Sequence, residues 1–166
     1  MRRTRALLLA VLLALTVSVP VSAQTTIPAK AFIKENFERA PSDEPCVFDP
    51  VLVTLTCPGT GNAGRFGKLT SSAVYTAAGV TRTITFLSDG ATLTIAEVYD
   101  EVTFPGNSHD APGQLVSFGN PFSLEGTWVV TGATGSLTGA SGFGSVTQMG
   151  AGNTLNFWFS GSITLP

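Results

Sequence analysis

Residues 126–148 read G-T-W-V-V-T-G-A-T-G-S-L-T-G-A-S-G-F-G-S-V-T-Q. The segment opens as a strand with Trp128, Val129 and Val130, breaks at Gly132 and Gly135, and resumes as Ser, Thr, Val and Phe threaded between Gly139, Gly142 and Gly144. Glycine at this density is poor helix, because each one costs roughly 1 kcal/mol relative to alanine. A curved sheet uses it for tight bends, bulges and close backbone approach. The stretch predicts two strands of such a sheet, and the rest of the chain is read by whether it supplies the others.

Downstream, Leu155, Phe157, Phe159, Ile163 and Leu165 alternate with Asn156, Trp158, Ser160, Ser162 and Thr164. That period of two predicts a strand with the first set inward and the second outward, Trp158 included. Upstream, 80–87 and 91–104 form a hairpin around Ser88-Asp89-Gly90, an Asp-Gly turn signal. The apolar phase changes along its second arm: Leu93 and Ile95 are odd-numbered, Val98, Val102 and Phe104 even-numbered. Either a bulge shifts the register near Ala96, or the odd face continues inward and carries Glu97, Tyr99 and Glu101. Shorter strands are expected at 51–56, 115–118 and 124–131. The prediction is an all-β fold, a small closed antiparallel up-and-down barrel of about eight strands.

The N-terminus has a different character. Met-Arg-Arg-Thr-Arg, an apolar run over 6–19 and Val21-Ser22-Ala23 spell a secretory signal peptide, 1–23, too short in its apolar run for a spanning helix. Residues 24–44 contain no glycine and alternate charges, with Phe32, Ile33 and Phe37 at helical spacing. They are read as an N-terminal extension, a tether or lid with one or two amphipathic turns. The barrel domain is placed at 45–166, since all 18 glycines lie between positions 59 and 161.

Nine Lys/Arg stand against eleven Asp/Glu, and cleavage after Ala23 removes Arg2, Arg3 and Arg5, leaving a formal charge of −5 on 143 residues. No basic residue follows Arg82. Without a cationic face the chain is not expected to bind nucleic acid or an anionic membrane, and no membrane association is expected once the signal is removed. The expected location is extracellular. In an oxidising compartment Cys46 and Cys57 are expected to pair, with the chain bending at Asp49-Pro50 to let them meet. Two thiols and the distant His109 make no metal site, and no cofactor is expected.

No reaction motif is present. Gly59-x-Gly61-x-x-Gly64 has dinucleotide-fingerprint spacing, but the strand-like R-F-G-K-L-T-S-S-A-V-Y-T follows where a helix is required. His109-Asp110 sits among turn residues and reads as a solvated loop. Glu97, Tyr99 and Glu101 share one side of their strand and are the candidate catalytic groups if that side faces the interior. The exterior is the expected side, because unpaired carboxylates are seldom buried. Trp128, Phe157 and Phe159 are the candidate ligand-contacting residues.

The core 126–147, G-T-W-V-V-T-G-A-T-G-S-L-T-G-A-S-G-F-G-S-V-T, resembles the signature of bacterial allene oxide cyclase barrel-like and dirigent-like proteins. In those proteins a strand ending in T-G-G-T-G is followed by a stretch of the form G-A-T-G-S-G. Residues 61–70, G-N-A-G-R-F-G-K-L-T, are similar to an early strand of that family, and 159–164, F-S-G-S-I-T, to its last. The resemblance implies a calycin-like eight-stranded barrel whose mouth or interior takes a hydrophobic molecule. Plant relatives include cyclases of an unstable fatty-acid epoxide and proteins that steer phenoxy-radical coupling. Their functional residues lie outside the matched stretch, so none is carried over. Two expectations result: a non-enzymatic module that binds a small apolar molecule or serves extracellular interaction, and a cofactor-free isomerase or cyclase. They differ in whether Glu97, Tyr99 or Glu101 points into a cavity.

Overall fold

A computed structural model describes residues 24–36, 46–103, 122–151 and 154–166. The signal peptide, His109-Asp110 and the strand expected at 115–118 lie outside the described residues. Nine strands are present: β1 Thr25–Asn36, β2 Val47–Asp49, β3 Thr54–Asn62, β4 Lys68–Thr76, β5 Gly79–Phe86, β6 Thr92–Thr103, β7 Phe122–Ala133, β8 Ser141–Ala151 and β9 Thr154–Leu165. Each from β3 onward pairs antiparallel with the next. β1 pairs with β9 on one side and with β3 on the other, closing an eight-stranded antiparallel barrel to which β2 is appended. The predicted fold class is observed.

β1 corrects the reading of the N-terminal segment. Residues 25–36, expected in a tether with helical turns, are a full barrel strand, in register with β9 from Thr25↔Leu165 to Asn36↔Thr154. Its pattern has period two: Ile27, Ala29, Ala31, Ile33 and Glu35 take the inward positions, with Lys30, Phe32 and Lys34 outside. Barrel closure against β9 and β3 overrides the local helical spacing of Phe32 and Ile33. The described barrel therefore begins some twenty residues before position 45.

The segment with fingerprint spacing is strand as well, since β3 runs through Pro58-Gly59-Thr60-Gly61. Here β1 crosses close to β3, and a Cβ at Gly61 would lie 2.0 Å from the Phe32 carbonyl oxygen. Only glycine lets the closing strands approach so nearly. The strand expected at 51–56 starts instead at Thr54. Residues 50–53 turn, with Asp49 Oδ1 accepting from the Val51 (2.8 Å) and Leu52 (3.1 Å) amides. The bend falls at Asp49-Pro50 as the sequence indicated, and the Cys46–Cys57 disulfide is formed.

β5 and β6 make the expected hairpin, closed by Gly90 N–H to Phe86 O (2.9 Å) and by Ala91 N–H to Asp89 Oδ1 (3.0 Å). In β9, Leu155, Phe157, Phe159 and Ile163 are buried, Leu165 is half-buried, and Trp158 is exposed. The core is the barrel interior, filled by Ile, Leu and Phe from β1, β4, β5, β6 and β9 and by Trp128 from β7.

Candidate functional site

The interior has an apolar half and a polar half. Toward the end where β5 turns into β6 lies a partly open cavity of about 40 Å³, walled by Ala31, Phe66, Leu93, Ile95, Trp128 and Phe159 among others. Its wall is hydrocarbon almost throughout. The space exceeds the ~10–15 Å³ that one water requires. It is far below the ~300 Å³ at which drug-sized pockets begin.

Trp128 is fixed there by its indole N–H, which donates to the carbonyls of Ser145 (3.0 Å) and Ser160 (3.3 Å). Two glycines make room for it. A Cβ at Gly144 would meet Trp128 Nε1 at 2.8 Å, and one at Gly161 would meet Trp128 Cζ2 at 2.7 Å. The glycine-rich stretch that decides the fold thus also seats the largest side chain of the cavity wall.

The polar half is built around Arg82 of β5, fully buried. Its Nε donates to Glu97 Oε1 at 2.5 Å and its Nη1 to Glu35 Oε1. The second oxygens of both carboxylates are taken by phenols: Tyr75 Oη donates to Glu35 Oε2 (2.5 Å), and Tyr99 Oη to Glu97 Oε2 (2.6 Å). The guanidinium lies over the Phe157 ring, 4.2 Å from its centroid, and 5.6 Å from that of Phe159. Five strands contribute: β1, β4, β5, β6 and β9. Gly59 leaves the space beside Glu35, since a Cβ there would meet Glu35 Cγ at 3.0 Å and Ser71 Oγ at 2.6 Å.

Burial raises the pKa of Glu35 above the ordinary carboxylate value, although Arg82 and the Tyr75 phenol pull it down. Burial also opposes the Arg82 charge, yet Glu97 and Glu35 more than offset this and hold it well above the usual guanidinium range. Burial and then the adjacent carboxylate push both phenols well above their ordinary value, Glu35 acting on Tyr75 and Glu97 on Tyr99. All four carboxylate oxygens are engaged. The cluster is a closed network that ties strands together in a low-dielectric interior.

The structure decides the phase question on β6. The odd face continues inward, so Glu97 is buried and Tyr99 half-buried with its hydroxyl turned to Glu97, while Val98 is exposed. The expected exterior placement of Glu97 is thereby corrected, and the reason is that the carboxylate is not unpaired. Register shifts do occur, between Thr94 and Ile95 and between Tyr99 and Glu101, but none at Ala96. Glu101 stands in β6 opposite Glu125 of β7. Of the ligand-contacting candidates, Trp128 and Phe159 line the cavity and Phe157 lies under Arg82.

Sequence reasoning missed Arg82, Glu35 and Tyr75. Its available signal was phase: Arg82 falls in register with Val80, Ile84 and Phe86, and Glu35 with Ile27 and Ile33, all inward positions. A charge on the apolar side of an alternating strand marks a buried partner elsewhere in the chain. Compared with protein-family models, curated proteins and solved structures, the chain finds no match.

Proposed function

We propose that this protein is a secreted binding module, of the allene oxide cyclase barrel-like and dirigent-like type, that takes the apolar end of a small hydrophobic molecule into the barrel without reacting with it. The observation that carries the reading is the cavity wall, which is hydrocarbon almost throughout and includes none of Glu35, Tyr75, Glu97 and Tyr99; Lys30, its one ionisable residue, is exposed and takes an outward position on β1. A cofactor-free cyclase needs an acid or base within reach of its substrate. Glu35, Glu97, Tyr75 and Tyr99 are instead engaged with Arg82 or with one another, behind Phe157 and Phe159. Export is supported by the signal-like N-terminus and by the Cys46–Cys57 disulfide, which persists in oxidising compartments. Among the described residues no helix is long and apolar enough to cross a membrane.

The test uses Trp128, one of two tryptophans in the chain. In a Trp158→Phe background its fluorescence is followed during titration with straight-chain alcohols of increasing length. A saturable change is expected, abolished by Ala31→Phe, which places a ring in the cavity from β1. Absence of any saturable change in the unfilled protein would refute the proposal.

A further inference from the structure

The disulfide closes a hairpin made of β2, the turn at 50–53 and the start of β3. Val47, Phe48, Val51, Leu52 and Val53 all face solvent on it, from 59% exposure at Phe48 to 86% at Val51. Five large apolar side chains on seven consecutive positions form one exposed apolar tip, the kind of contiguous patch that marks a contact surface. The tip stands at the end of the barrel opposite the cavity, because β3 leads from it toward Ala63 and Phe66 in the cavity wall.

We propose that this hairpin is a lipid-contacting finger that inserts its tip into a neutral, zwitterionic bilayer surface. Backbone chemistry is the first argument. A segment entering hydrocarbon finds no hydrogen-bond acceptors there and must satisfy its own N–H groups. Three of the four turn positions meet this demand: Pro50 has no N–H, and the amides of Val51 and Leu52 both donate to Asp49 Oδ1. A protein groove imposes no such demand, since its own carbonyls can accept.

Charge and size agree with this. Residues 46–57 contain Asp49 as their sole acid and no Lys or Arg, so the finger has nothing with which to seek anionic headgroups. The expectation of no membrane association after signal removal rested on the lack of a cationic face, which an anionic membrane requires and a neutral surface does not. The tip's five apolar residues are far fewer than the roughly 20–30 residues a side of a standard protein interface. The disulfide holds the hairpin in place beforehand, which removes much of the ordering cost of insertion.

The experiment is flotation of the disulfide-bonded protein with phosphatidylcholine vesicles at low and high salt, for the native chain, Leu52→Glu and Leu52→Ile. Native protein and Leu52→Ile should float with the vesicles regardless of salt, and Leu52→Glu should lose at least tenfold in partitioning at an unchanged Tm. Should Leu52→Glu fail to fold, Val51→Ser is read in its place. Three outcomes overturn the proposal: no flotation of native protein, equal flotation of the glutamate variant, or binding that requires phosphatidylglycerol and falls with salt. Loss of a concentration-dependent dimer in Leu52→Glu, without vesicle binding by the native chain, would identify the finger as a contact between copies instead.

Discussion

Arg82 sits where the alternation of β5 places an apolar side chain, and its charge is tolerated because two carboxylates and an aromatic face receive it. Removing one member of such a group costs more than the group itself contributes, since the others remain buried and unpaired. Arg82→Met should therefore destabilise by about 3–5 kcal/mol, because it strands Glu35 and Glu97 together in the interior. The triple change Glu35→Gln, Arg82→Met, Glu97→Gln removes every formal charge and should recover a large part of that loss. Urea unfolding of the two variants distinguishes a buried network from a hydrated one. If Arg82→Met costs less than about 1 kcal/mol, water reaches the carboxylates and the network is not closed.

At the level of strands, what the sequence made legible was whatever period two could carry. β9, the β5–β6 hairpin and the two strands of 122–151 follow from alternation and turn residues alone. β1 did not, because its inward side chains include two alanines and a glutamate, and its charges mimic the solvated face of a helix. Nor did β3, whose Gly59 and Gly61 look like a loop until the strand that crosses them is known. The cluster was hidden for the same reason: its members come from strands far apart in sequence, and only closure brings Glu35 to Arg82. Glycine positions can now be separated by what surrounds them. A Cβ at Gly144 would lie 2.0 Å from Ser160 O and 2.7 Å from Gly161 Cα, both backbone atoms that cannot step aside. At Gly132 the nearest atom, Thr94 Cβ, is 3.6 Å away, an ordinary contact. Gly144→Ala should cost at least about 2 kcal/mol and shift Trp128 emission, whereas Gly132→Ala should stay within about 0.5 kcal/mol of the native chain.

For the molecule as a whole, the buried cluster fixes how stability depends on pH. The chain has two tyrosines, Tyr75 and Tyr99, and both donate into the cluster, so tyrosinate absorbance reports on the barrel interior alone. Their folded pKa values lie well above the ordinary value of about 10, which means that the folded state holds these protons more tightly than the unfolded chain does. The stability this gives is complete below pH ~10 and is lost as pH climbs through the raised values. Glu35 has the same sign in the acid range: its contribution is full below the ordinary carboxylate value and declines as pH rises through its raised folded value. The exposed Asp89, held low first by the Ser136 hydroxyl and then by the Ala91 amide, has the opposite sign and loses its contribution as pH falls. In alkali, neither phenol can ionise while it remains pinned between a carboxylate and the barrel wall, so both should be released together when the barrel opens. The near-ultraviolet tyrosinate signal and the far-ultraviolet circular dichroism of the sheet should move in one coincident transition above pH 10. A gradual tyrosinate signal centred near pH 10, with the sheet intact, would show that the polar half of the barrel is open to solvent.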